Sequence, residues 1–518
     1  MGNTSTAEAR GRSLAVTPRA QPRILGQPKN MQSDPIPNRN PKYAWRDVAR
    51  AETPKRDVGA RIADFRATYR PYDAATASEQ AGRCIQCPNP SCVEVCPIDT
   101  PIPELMRLTA DRQYKEAAEL LFSSSIIPEL FVHVCAGERL CEAVCVLADK
   151  SDPVQVSFIG RFLLDYGWNH GVFESSIEAD TGRRVAVVGS GLCGLVAADV
   201  LSRMGHAVTV FDAYHKPGGR LVNGLPGFRV DRELIEKRVG LLAQRGVKFR
   251  TGMVCGRDLK LGELRRDFDA VFFGLGRANP VRLEIPGSKL RGVRQAYPFV
   301  LRNTSDAKLE TPPVSVNGRR IVVLGGGETA VDALRVAIRC GASDAICLYR
   351  RDRTDMPANP SDVANAEEEG ARFTYFAEAK AIIGNEEGDV THVRCARTIP
   401  GEVDASGRRS AVAVENSEFD VPADVVLVAY GFEAPKLTQM DEFAQLKVDG
   451  RGHLAVDARL MTNIPGVFAG GSVVRGPVPL ADVARDARNA AVAINDYLRA
   501  LPSPSRASSL LPQGATGS

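Results

Sequence analysis

Two stretches of this chain repeat one plan, and each demands a parallel sheet covered by helices. RRVAVVGSGLCGLVAADVLSRMGHAVTVFDA (183–213) reads as a strand, a glycine turn, a helix and a second strand. RRIVVLGGGETAVDALRVAIRCGASDAICLYRR (319–351) repeats the pattern. Two parallel strands need a long crossover, and the helix between them supplies it. In the first unit Gly189, Gly191 and Gly194 form GxGxxG directly after VAVV. The first glycine makes the tight turn and the second lets the backbone approach a pyrophosphate. The third lets the helix pack on its strand, with the helix N-terminus facing the phosphates. Asp212 ends the second strand, where an acid binds a ribose hydroxyl.

The second unit is GxGxxA, from Gly325 and Gly327 to Ala330, with Glu328 and Thr329 inside it. Arg350 and Arg351 follow its second strand, with no acid at that point. Basic residues there suit the 2′-phosphate of NADP better than the bare ribose of NAD. The plainer reading is a solvated strand end. Two such units imply two nucleotides, in the usual pairing of a held FAD with a passing NADPH or NADH. The strand-like stretches 268–280, 424–432 and 464–474 and the helix-like run 480–498 follow the two units. The last two suggest that the C-terminus completes the first domain.

The second strong signal is cysteine. Of twelve cysteines, seven lie between residues 84 and 145: Cys84, Cys87, Cys92, Cys96, Cys135, Cys141 and Cys145. The first four are spaced C-x2-C-x4-C-x3-C, with Pro97 next. That is close to the iron–sulfur run C-x2-C-x2-C-x3-C-P. Disulfides fit badly, because disulfide frameworks belong to short secreted chains. Zinc remains an alternative, since CxxC pairs serve zinc as well. Two four-iron clusters need one ligand per iron, one more than these seven cysteines provide.

The rest of the chain is read around these signals. At 518 residues it holds several domains, and a net charge of +4 argues against a nucleic-acid binder. No apolar run approaches the roughly 20 residues of a membrane span, so a soluble, cytoplasmic chain is expected. Residues 1–45 read as a disordered basic arm and 501–518 as a disordered tail. MGNTST fits the N-myristoylation pattern and the arm's composition fits a transit peptide, but a flexible tail is the simpler reading. Residues 46–180 read as a helical domain, with helices across 101–122 and 156–168 and a break at Pro128. The expected FAD domain covers 181–300 and is completed by 441–500; the NAD(P)H domain covers 301–440. The fold class is α/β: two Rossmann-like dinucleotide-binding domains preceded by a small all-helical iron–sulfur domain. His133 is expected to be structural, and Glu367 to Glu369 to form a solvated helix face with Glu367 near nucleotide.

The order of the cysteine block, GxGxxG, PGGR (217–220), GLP (224–226), GGGETA and LYRRDRTDMP (348–357) resembles the glutamate synthase small-subunit family. That family includes the N-terminal half of dihydropyrimidine dehydrogenase and the large subunit of NADH-dependent ferredoxin:NADP oxidoreductase. The resemblance covers about residues 60–500. It implies FAD, two 4Fe–4S clusters and a nicotinamide nucleotide. Cys84, Cys87, Cys92 and Cys145 would hold one cluster. Cys96, Cys135 and Cys141 would hold the other, with a Glu or Gln from the helix after Cys145. That position falls on Gly160, which has no side chain to offer, so water, a neighbour such as Gln155, or a partner chain would complete the cluster. The resemblance also assigns Gly219, Arg220 and Gly471 to the flavin site, with Ser472 where the family usually has Asp.

The activity implied is hydride transfer between NAD(P)H and FAD, then single electrons through the clusters to or from a larger oxidoreductase subunit or a ferredoxin-like carrier. A hetero-oligomer is expected, with no catalytic side chain. Glutamate synthase proper and a degenerate structural flavoprotein are the alternatives.

Overall fold

The computed structural model describes residues 42–502, apart from 125, 173–176, 278, 305–313, 404–408 and 441–442. The expected arm and tail therefore lie outside the described residues except at their inner ends, where Ala44 begins a short helix.

The helical part runs from Ala44–Asp47 to Val156–Asn169 and carries the cysteines on short connections. Its two expected helices around residue 112 are Ile102–Ala110 and Tyr114–Ser124. Their apolar faces meet Val156–Asn169 in a core of Leu105, Met106, Leu121, Phe122, Ile159, Leu163 and Leu164. The expected break is present, between Tyr114–Ser124 and the helix that follows, and Pro128 stands at its far side. It starts the helix Pro128–Val134, at a position where a missing N–H is tolerated.

Two five-stranded parallel sheets follow. The first runs in the order Val467–Ala469, Ala270–Phe273, Arg184–Val188, Ala207–Asp212, Lys248–Thr251. A strand from near the C-terminus thus sits at its edge, and the helix Leu480–Ala500 packs against the helix Leu192–Arg203 through alanines 484, 487, 490 and 491. The second runs in the order Val293–Gln295, Val425–Val428, Arg320–Leu324, Asp344–Tyr349, Arg372–Tyr375. Their central strands Arg184–Val188, Arg320–Leu324 and Val425–Val428 read as near-continuous Val, Ile and Leu because both faces are buried. One face of the second is covered by an antiparallel sheet of Ala377–Gly384, Val390–Val403 and Arg409–Pro422, through Ile382, Val393, Cys395 and Val421.

The expected boundary at residue 300 is corrected. Val293–Gln295 already pairs in the second sheet, and Phe299 and Val300 lie in its core. The chain passes between the sheets at Asn279–Pro280 and returns at Phe432–Glu433, two segments that pair antiparallel. The acidic run is also corrected. Glu369 is buried against Arg335 and Arg339, at 2.8 and 2.6 Å, and Glu368 binds Lys55 and Arg61, each at 2.7 Å. Glu367 pairs with Arg353. The run is apolar-poor because it faces arginines as well as water. No single helix among the described residues is long and apolar enough to cross a membrane.

Candidate functional site

Both glycine turns form as their spacing demands. Gly189 and Gly325 have φ of +102° and +130°. A Cβ on Gly189 would lie 2.7 Å from the Gly274 carbonyl oxygen, and one on Gly325 2.6 Å from that of Ala429. A Cβ on Gly194 would overlap the Gly189 carbonyl, which is the close helix–strand packing expected of the third position. Gly191 and Gly327 differ: nothing lies within 4 Å of where their Cβ atoms would be. Each stands next to a helix N-terminus, at Leu192 and Glu328, with open space before it. Ala330 is fully buried in the second turn.

Asp212 is buried and organises the first turn. Its Oδ2 accepts from the Ser190 backbone N–H and hydroxyl, both at 2.6 Å, and its Oδ1 accepts from the Tyr214 N–H. The Ser190 hydroxyl oxygen in turn accepts from the Gly218 N–H at 2.8 Å, tying PGGR to the turn. Sequence reasoning passed over Ser190, whose only signal was its place inside GSG. Gly219 packs against Gly191. The Arg220 guanidinium lies 4.3 Å from the Phe432 ring centroid and 5.4 Å from that of Tyr297, at the crossing between the sheets. Gly471 has φ of +70°, and Ser472 opens a short helix with its Oγ facing the Gly276 turn.

In the second unit Glu328 does not project freely toward a nucleotide. Its Oε1 accepts from the Asn359 N–H at 2.8 Å, and its Oε2 binds Arg229. Thr329 follows it, half-buried in the first turn of the helix. The structure separates the two arginines: Arg350 is exposed at the strand end, whereas Arg351 is buried. A surface 2′-phosphate contact is open to Arg350 alone of the pair.

The seven cysteines form two neighbourhoods that meet at Cys141. Cys84, Cys87, Cys92, Cys141 and Cys145 line one cavity, with Ile102, Met106 and Val156. Burial pushes the Cys84 thiol up to about 11 and that of Cys92 to about 12, and the sulfurs of this group add to the rise. Burial likewise pushes Cys135 to about 12 and Cys141 higher still, with Cys96 and Glu142 as neighbours of both. Thiols this reluctant to ionise do so when a cation takes the proton's place. Among the described residues no three His, Cys, Asp or Glu side chains converge closely enough to hold one metal ion. A zinc site holds its sulfurs about 2.3 Å from a single ion. A cluster's ligands bond to separate irons instead.

The loops are held by arginines outside the cysteine pattern. Arg83 is fully buried and donates to Val48, Asp152 and Pro153 carbonyls, so the Cys84 loop is fixed to the segment after Cys145. Glu129, also fully buried, pairs with Arg238 at 2.9 Å and fixes the helix before Cys135 to the first dinucleotide domain. His133 turns Nδ1 to the Glu129 carbonyl at 3.0 Å, and burial drives its pKa down to about 3. Gln155 is not free to ligate. Its amide is satisfied with nitrogen toward Tyr72 and the Ala51 carbonyl and oxygen toward Arg50.

Comparison with known proteins agrees with this division. Residues 61–172 match the family described as dihydropyrimidine dehydrogenase domain II, 4Fe-4S cluster, and residues 183–488 match pyridine nucleotide-disulphide oxidoreductase. The glutamate synthase [NADPH] small chain of Escherichia coli (strain K12) is 36% identical over 88% of this chain and 98% of its own length. That of Azospirillum brasilense is 38% identical, over 86% and 94%. The putative oxidoreductase AegA of E. coli is 36% identical over 87% of this chain and 70% of its own. Among solved structures, Mycobacterium tuberculosis FprA in complex with NADPH shares the fold, with a TM-score of 0.54 over 61% of this chain and 85% of that one at 19% identity. Identity at this level over nearly the whole of both glutamate synthase small chains means that the chain belongs to the glutamate synthase small-chain family, as an FAD- and iron–sulfur-dependent NADPH oxidoreductase.

Proposed function

We propose that this chain is the NADPH-facing electron-transfer subunit of a larger oxidoreductase, with two 4Fe–4S clusters. One observation carries the reading. Cys96 and Cys135 pack against the core of the first dinucleotide domain, Cys84, Cys92 and Cys145 pack in the helical core, and Cys141 also packs there while neighbouring Cys96 and Cys135. The cysteine groups thus form a succession leading away from the flavin-type domain. When bound, flavin and clusters supply the conversion between a two-electron hydride and single electrons.

The chain's own residues bind and orient. The turns at Gly191 and Gly327 offer open backbone and helix N-termini to two pyrophosphates. Arg350 suits the 2′-phosphate of NADPH. Cys84, Cys87, Cys92 and Cys145 hold one cluster; Cys96, Cys135 and Cys141 hold three irons of the other. No side chain is required to move a proton in the hydride step.

The partner is tested by anaerobic native purification and identification of what co-purifies. A large glutamate synthase chain would make this the small subunit of that enzyme. A different metal-containing oxidoreductase would make it the electron-input module of another system, a reading that the match to AegA also supports. A chain that is isolated alone, and whose reduced form passes electrons to no added acceptor, would contradict the proposal.

A further inference from the structure

The second cysteine group lacks one ligand, and the structure bears on where it comes from. A side chain at position 160 could not supply it without moving Val132. A Cβ there would lie 2.8 Å from Val132 Cγ1 and 3.5 Å from its Cβ. Val132, on the helix that leads into Cys135, fills that space, and the Arg161 guanidinium binds the Val132 carbonyl at 2.9 Å to hold it there. Gln155 is committed to Tyr72, Ala51 and Arg50.

Glu142 is differently placed. It follows Cys141 directly, and its side chain is 7% exposed. The turn is closed by its own N–H, which donates to the Gly137 carbonyl at 2.9 Å. Gly137, which the turn brings next to both side chains, shows how close Glu142 and Cys141 stand. Measured from where a Cβ would stand, Glu142 Oε1 is 3.5 Å away and Cys141 Sγ 3.7 Å. A carboxylate oxygen and a cysteine sulfur therefore lie on the same side of Gly137, and Glu142 neighbours Cys135 as well as Cys141. The other oxygen, Oε2, accepts from Arg50 Nη2 at 2.9 Å. A carboxylate fixed through one oxygen presents the other in a set direction, as partners beyond the ligands do in metal sites. Cluster irons accept non-cysteine ligands, as the two histidines of Rieske centres demonstrate. Three thiolates and one carboxylate also carry the same formal charge as four thiolates.

We propose that Glu142 Oε1 is the remaining ligand of the cluster held by Cys96, Cys135 and Cys141, with Arg50 as its positioning residue. This rests on the two-cluster reading above. The test is iron content and low-temperature electron paramagnetic resonance of the full chain purified anaerobically, without any electron donor. The native chain should contain iron for two four-iron clusters. Glu142→Ala should lose about one iron per chain and show the signal of an oxidised three-iron cluster, because one corner iron has lost its ligand. Glu142→Cys should restore the iron. Arg50→Gln, which removes the ion pair but not the ligand, should keep both four-iron clusters.

A native chain with iron for a single cluster overturns the two-cluster reading, and this inference with it. A native chain with both clusters and a Glu142→Ala variant unchanged in iron and spectrum overturns the ligand assignment alone. Equal iron loss in Arg50→Gln and Glu142→Ala also overturns it, by reducing Glu142 to a structural partner of Arg50.

Discussion

Arg229 follows the GLPGF turn of the first dinucleotide unit, yet its side chain ends among acids of the second. It binds Asp332 at 2.5 Å, Asp362 at 3.3 Å and Glu328, with 6% of the side chain exposed. Burial would lower its pKa, but the three carboxylates outweigh that and hold it charged. Arg229→Leu should destabilise the chain by about 3–5 kcal/mol, because Asp332 is left buried and unpaired. Chemical denaturation reads this, and a loss under about 1 kcal/mol would contradict it. Glu369 gives a pH signature. Burial would raise its carboxyl, but hydrogen bonds from Arg335 and Arg339 hold it down to about 2 from an ordinary 4.5. Its contribution is present in full above the unfolded value and lost as pH falls toward 2. The melting-temperature gap between the native chain and Glu369→Gln should narrow through that window, and a constant gap would contradict the pairing. None of these ion pairs was legible in the sequence, because Arg229 and Arg61 meet carboxylates on remote elements. The EEE run looked like a solvated face because composition alone does not reveal buried arginines.

The βαβ elements were the most legible part, since GxGxxG and GxGxxA constrain backbone locally, at Gly189 and Gly325. The antiparallel sheet of Ala377–Gly384, Val390–Val403 and Arg409–Pro422 was not foreseen. Its distal strand ends expose Ile399, Val403 and Val412, so the burial alternation that marks a strand fades there. The crossing at Asn279–Pro280 was hidden for a related reason: a two-residue pairing leaves no periodicity, and the boundary was set too late. The open space at the second glycines makes a prediction about elements rather than stability. Gly327→Val should fold normally and retain flavin, while KM for NADPH rises at least about tenfold, a loss of ~1.4 kcal/mol in binding. Gly191→Val should fold but be isolated largely without flavin. Absorbance spectra and steady-state kinetics check both, and a Gly327→Val chain with native KM would remove that turn from the nucleotide site.

Across the whole molecule the parts are joined by shared apolar packing, as where Ile127, Leu130 and Phe131 enter the core of the first dinucleotide domain, and by buried charged pairs. Glu129–Arg238 joins the helical part to the first dinucleotide domain, Arg61–Glu368 joins it to the second, and Arg229 joins the two dinucleotide domains. The cysteine spacing and the absence of a ligand at Gly160 were both readable from sequence. Val132 over Gly160, and Glu142 beside Gly137, appear only once the helix Pro128–Val134 is seen to lie against Val156–Asn169. The central claim is that NADPH gives up a hydride at one domain and leaves as NADP⁺, and that the two electrons pass on singly through the helical part. It is tested by mixing the anaerobic full chain with NADPH and following flavin absorbance, cluster resonance signals and a one-electron dye. The account predicts flavin bleaching, cluster reduction and sustained dye reduction, with dye reduction lost in Cys135→Ala while flavin bleaching persists. Flavin that stays oxidised in excess NADPH, or dye reduction untouched by Cys135→Ala, would contradict it.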